Sequence, residues 1–211
     1  MQPHVQQRQQ RAAAARVLLS LHADGNLQSP ERWTWRTVDR LPGWCLAGAE
    51  QRIQLQLTCG ALYLSPDIRL WIDQHALRIV HDLLGQTLFD RIMAQADRMQ
   101  LPRESAAQVI EQAGVEPATA EPEAIQSLLM RAGANVLSAT VHESLPHDML
   151  TQSLGPTVGE INEASALALV RAAEVLIDEA DNPMSDSQTQ DSQTPEEQTD
   201  DPSAPVEAQQ P

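Results

Sequence analysis

The chain has 211 residues, a net charge of −15, 3% aromatic residues and 14 basic residues, all of them arginine. That charge excludes the basic stripe a protein needs to displace counterions from nucleic-acid phosphates, or to hold an anionic lipid surface. The missing lysine excludes a phosphate-loop lysine and a Schiff base, and the aromatic-poor, Leu- and Ala-rich composition favours helix over sheet.

Taken in chain order, residues 1–24 predict one helix over 6–22, with Val17, Leu18 and Leu21 as its apolar face and fraying before Arg11. Residues 1–16 lack the apolar run of a secretory leader, and no stretch of 18 apolar residues occurs, so a reducing cytosol without membrane insertion is the expectation. Cys45 and Cys59 are then expected as free, packed thiols. Turn signals follow at Gly25-Asn26, Ser29-Pro30 and Leu41-Pro42-Gly43-Trp44.

Residues 49–64 carry two periods at once. Ile53, Leu55 and Leu57 alternate as in a strand, while Ile53, Leu57, Gly60, Ala61 and Leu64 repeat as in a helix. The neighbouring Ala, Glu and Gln residues tip the reading to helix. Ser65, Pro66 and Asp67 then look like a helix start. Apolar residues at Ile68, Trp71, Ile72, Ile79, Val80, Leu83 and Leu84 predict a helical stretch with a break near Asp73 or Gln74. Gly85 reads as a terminator. Leu88, Phe89, Ile92, Met93, Ala96 and Met99 repeat at helical spacing up to Pro102.

A short helix ending at Gly114 follows, then a proline-bearing connector. A long stripe runs from Ile125 through Leu128, Leu129, Ala132, Val136 and Leu137 to Val141, with Pro146 as its stop. The last helix is expected over Glu160–Ala180, with Ile161, Ala164, Leu167, Ala168, Val175 and Leu176 buried. From Asn182 onward the chain holds seven acidic residues, no basic one and almost nothing apolar. Such a tail cannot offset its own chain entropy and is expected to be disordered. The expected fold is therefore mainly α: an irregular multi-helix domain over 25–181, led by the 1–24 helix and followed by the acidic 182–211 tail.

No catalytic, metal or cofactor constellation is found. Glycine-rich phosphate loops and a nucleophile elbow are missing. His142 and His147 are five apart with Pro146 between them, whereas a zinc protease needs His residues four apart on one helical face. Asp67, Asp73, Asp82 and Asp90 recur among Arg69, Arg78 and Arg91, the pattern of a solvated face with local ion pairs. Trp71 is expected in the core. Trp33 and Trp35 would point about 200° apart on a helix, so one of them is free to be an anchor. Trp33, Trp35, Arg69 and Arg78 are the expected partner-binding residues, because interface hot spots favour Trp and Arg.

The segment from Arg52 to Ala94 resembles the K subunit of bacterial type III secretion systems, the SctK/YscK family. The resemblance rests on Gly60 as a small-residue point in an apolar helix. Arg69 and the Ile72-Asp73 pair come next, then Leu77, the Leu83-Leu84-Gly85 helix end, and Leu88-Phe89. It covers about 45 residues, a fifth of the chain, and leaves the N-terminal third and the tail unmatched. The resemblance implies a non-enzymatic adaptor without cofactor, cytoplasmic and peripheral to the bacterial inner membrane. Its partners would be the inner-membrane ring and the pod subunits of the sorting platform. The alternatives are an acidic secretion chaperone or regulator, an unrelated helical scaffold, and an enzyme of an unrecognised helical class.

Overall fold

A computed structural model describes residues 11–12, 15–16, 38–71, 73–96, 103–116, 119–143, 145, 150–151, 154–157 and 161–181. Among them the chain is mainly helical and forms no strand. A 3-10 turn at Gly43–Leu46 precedes six α-helices: α1 Ala49–Ile68, α2 Gln74–Leu84, α3 Gln86–Gln95, α4 Arg103–Ala113, α5 Pro122–Ala139 and α6 Glu163–Asp181. Residues 182–211 form a unit separate from Met1–Asp181. The expected disorder of that tail lies outside the described residues. Of the expected N-terminal helix, Arg11, Ala12, Ala15 and Arg16 are described and helical.

The stretch with two competing periods is helical, and α1 is longer than its apolar pattern suggests. Ser65, Pro66 and Asp67 do not start a helix; they form the last turn of α1. Pro66 has no N–H to give the Leu62 carbonyl, a loss that usually ends a helix. The Ser65 hydroxyl donates to that same carbonyl at 2.8 Å and takes the missing bond's place. The helix then runs two more residues, and the chain turns at Leu70, which is 73% exposed. Trp71, expected in the core, is only half-buried at this corner.

The break near Asp73 is where the periodicity puts it. The Asp73 carboxylate accepts from the backbone N–H of His75 at 2.6 Å and of Ala76 at 3.4 Å, capping α2. Gly85 ends α2 and starts α3 with a single residue. Its φ of 79° and ψ of 152° fall in a region open almost only to glycine. Gly114, with φ 60°, ends α4. Pro122 occupies the first turn of α5, where its missing N–H costs nothing. α5 stops at Ala139, short of the expected stop at Pro146.

α6 begins at Glu163. Asn162 caps it, accepting from the Ser165 N–H at 2.8 Å. The start is later than the expected Glu160, since Ile161 and Asn162 are described and not helical. The buried face also differs from expectation: Ala166, Leu169, Val170, Ala173 and Leu176 face the core. Ala164, Leu167 and Ala168 are exposed, and Val175 is 52% exposed. Only Leu176 of the expected set is fully buried, with Ile161 half-buried.

α1 and α5 form the central pair and run antiparallel. The ends are joined by Trp44, just before α1, whose indole N–H donates to the Thr140 hydroxyl at 3.0 Å, just after α5. At the middle, two glycines let the backbones touch. A Cβ on Gly60 would lie 1.9 Å from the Leu129 carbonyl oxygen, and one on Gly133 would lie 1.9 Å from that of Gln56. No side chain fits at either point. Gln56 is buried beside this crossing; its amide donates to the Met130 carbonyl at 2.7 Å and to that of Leu154 at 3.0 Å. α6 packs on both central helices, α2 and α4 on α5, and α3 on α1, α2 and α6. Arg91 of α3 pairs with Glu179 of α6. Tyr63, Leu62, Leu64, Ile92, Leu129 and Leu169 are among the fully buried side chains.

Candidate interaction surface

The first half of α1 presents Glu50, Ile53 and Gln54 to solvent, while Leu55, Thr58 and Cys59 turn inward. A helix crossed so closely on one side at Gly60 leaves its opposite edge as a ridge. One groove opens on each side of that ridge. The first is walled by Ile53 and Leu57 of α1 and by Leu83, Leu84 and Leu88 around the Gly85 elbow, with Glu50 at its end; its volume is about 380 Å³. The elbow makes it: a helix continuing through Gly85 would carry Leu88 elsewhere. Ile53 is 49% exposed, unusual for a large apolar residue in mid-helix.

The second groove, also about 380 Å³, lies between the Gly43–Leu46 turn, α1 and the last two turns of α6. Trp44, Leu55 and Ile177 supply its apolar surface, and Glu174, Asp178 and Asp181 its charge. Gln54 lines both grooves.

Neither groove gathers a reactive set. Among the described residues no three His, Cys, Asp or Glu side chains come close enough to hold a metal ion. Both cysteines are free and buried. Burial pushes the Cys45 thiol up to about 12, with Arg52 pulling slightly the other way. Burial also pushes Cys59 up, and the nearby Glu174 charge adds to that. Neither thiol is a nucleophile at neutral pH. Asp39 is held below the usual carboxylate range by the Arg11 guanidinium, which donates to both its oxygens at 3.1 and 2.9 Å. That pair is exposed and joins the N-terminal helical residues to the start of the 38–71 segment.

Of the expected partner-binding residues, Trp33 and Trp35 lie outside the described residues. Arg69 is exposed at the C-terminal end of α1, and Arg78 is exposed on α2; neither lines either groove. Sequence reasoning missed Ile53 as a surface residue and Trp44 as a core anchor. Ile53 could have been found: on a helix it shares the face of Glu50 and Gln54, the polar side of α1. Among the described residues no helix is long and apolar enough to cross a membrane. Compared with known proteins, the chain matches no family model, no curated protein and no solved structure.

Proposed function

We propose that the chain is a non-enzymatic adaptor that holds other proteins on a rigid helical body. Its partners are the inner-membrane ring and pod subunits of a bacterial type III secretion apparatus, at the cytoplasmic face of the membrane. The observation that carries the adaptor reading is the apolar groove beside Ile53, a large side chain half in solvent next to four leucines. Such a surface is costly to leave bare and suits a side chain supplied by another protein.

The partner class rests on the resemblance of residues 52–94 to the K subunits. The residues that carry it include Gly60, Asp73, Leu83, Leu84, Gly85 and Leu88. They set the α1 crossing, cap α2, and shape the elbow that walls the groove. A resemblance in those positions supports a shared groove.

The test is photocrosslinking in bacteria that assemble the apparatus, with a benzophenone amino acid at Ile53 of the full-length chain. Cross-links to a ring or pod subunit, abolished by Leu83→Asp, are expected. Cross-links only to proteins outside the apparatus would leave an adaptor of another assembly. A folded protein that forms no protein cross-link at position 53 would overturn both readings.

A further inference from the structure

We infer that His81 and Phe89 are positioning residues for the groove beside Ile53: their ring pair sets the angle of the Gly85 elbow, and with it the shape in which the groove receives a partner. The consequence for binding rests on the adaptor reading above; the geometry of the elbow does not. α2 and α3 are joined by Gly85 alone. The Gly85 N–H donates to the His81 carbonyl at 2.8 Å and closes α2, while the Gly85 carbonyl accepts from the Phe89 N–H at 3.0 Å and opens α3. Both soft torsions of Gly85 lie between those two bonds, so neither bond fixes the angle between the helices. The surroundings of the glycine do not fix it either. Gly85 is exposed, and a Cβ built on it would meet nothing within 4 Å. Without a side chain it restricts its own φ and ψ least of all residues.

The angle is therefore held by side chains that reach across the joint. The His81 ring, in the last turn of α2, meets the Phe89 ring of α3 edge to face, with centroids 5.8 Å apart and planes at 70°. That spacing and tilt are favoured ones for an aromatic pair. The rings belong to the same two residues whose backbones bond Gly85, so the brace spans the hinge. Neither ring lines the groove, but the groove wall straddles the same joint: Leu83 and Leu84 stand before Gly85 and Leu88 after it. α3 is seated by buried Leu88 and Ile92 and by the Arg91–Glu179 pair with α6. α2 is seated by Ala76, Ile79 and Val80, all before its last turn. In that last turn, His81 to Leu84, no residue is fully buried. The core thus leaves the end of α2 to the ring pair, and a shift there moves Leu83 and Leu84 against Leu88, Ile53 and Leu57.

Two readouts on the full-length protein test it. Electron–electron double resonance between nitroxides on Arg78→Cys and Ala94→Cys, exposed sites on α2 and α3, reads the elbow; the native Cys45 and Cys59 are buried. The cross-link yield from position 53, per folded chain, reads the groove. His81→Ala and Phe89→Leu, the second of which keeps apolar bulk, should each widen the distance distribution and cut the yield about threefold, the scale of a lost edge-to-face pair. The double variant should do no more than either single one, because one contact is lost only once. His81→Phe keeps a ring pair and should match the parent in both readouts. An unchanged distribution in both single variants, a widened one with an unchanged yield, or a His81→Phe variant as defective as His81→Ala overturns the inference. So does a matching defect in Asp82→Asn, because the contact of His81 Nδ1 with the Asp82 carboxylate, 3.2 Å long, would then be the brace. If the parent itself gives no cross-link while the distribution still widens and recovers with His81→Phe, the elbow brace stands and the adaptor reading falls.

Discussion

Replacing Gly133 with alanine tests the α1–α5 crossing directly. The new Cβ would lie 1.9 Å from the Gln56 carbonyl oxygen, 2.7 Å from its carbon and 3.0 Å from its Cγ. Two of these atoms are backbone and cannot rotate away, so the helices must part by about 1.5 Å, enough to forfeit much of the dispersion along the seam. The bond from the Gln56 amide to the Met130 carbonyl, 2.7 Å in the native protein, would stretch past a useful length. Alanine is worth about 1 kcal/mol more than glycine in a helix interior. Overpacking costs roughly 1–3 kcal/mol or more, and a lost buried hydrogen bond about 1. Sterics therefore win, and a net loss of about 2–3 kcal/mol is expected. Urea denaturation followed by helical circular dichroism reads it. Gly60→Ala, with its Cβ 1.9 Å from the Leu129 carbonyl oxygen, should behave alike. Gly48→Ala, which meets only a flexible Gln51 oxygen at 3.8 Å, should change little. If Gly133→Ala is as stable as the parent, the close crossing is wrong.

Gly85→Ala meets no atom within 4 Å, so its cost is backbone strain alone, about 1–3 kcal/mol by chemical denaturation. Asp73→Ala removes the α2 cap and should cost about 1 kcal/mol in the same assay, with Asp73→Asn nearly neutral. Gln56→Leu removes the side-chain donor from the buried bond to the Leu154 carbonyl and from the part-buried one to Met130, and should cost about 2 kcal/mol. Burial holds the Cys45 thiol neutral up to about 12, against an ordinary value of 9.0. Its contribution to stability is complete below 9.0 and fades as pH rises from there toward 12, because only the unfolded thiol ionises in that window. Stability should thus decline above pH 9 with a slope that Cys45→Ala makes shallower, and a thiol reagent at pH 8 should label neither cysteine until urea is added.

Helix punctuation was readable where one residue type has one physical reason to be there. The break at Asp73 and the stops at Gly85 and Gly114 belong to that class, whereas Pro122, read as part of a connector, opens α5. Ser65-Pro66 misled because the same pair serves two ends: a start when Pro66 leads, and a close when the Ser65 hydroxyl repairs the bond that proline removes. The α6 face was misread because Ala164–Ile177 is apolar almost all round. Arg171 was the signal: it falls between Ala168 and Val175 on the stripe expected to be buried, and so marks it as the outer one. The grooves were harder still. Leu83 and Leu88 are only five residues apart, but they form one wall with Ile53 solely because Gly85 turns the chain. No period in the sequence reports that turn's angle. The crossing at Gly60 and Gly133 was equally silent, since a helical glycine is compatible with a stop, a kink or a close approach.

The central pair is also a matter of timing. Gln56 and the Met130 carbonyl are 74 residues apart in the chain. At ribosomal speeds of about 5–20 residues per second, α1 emerges roughly 4–15 s before the helix that covers it. Throughout that interval Leu55, Cys59, Leu62, Tyr63 and Leu64, all but sealed in the finished protein, have, among the described residues, only the Val38–Leu46 segment, α2, α3 and α4 to shelter against. The nascent chain is thus an incomplete bundle with its stickiest helix already made, a natural client for a chaperone that waits at the ribosome exit.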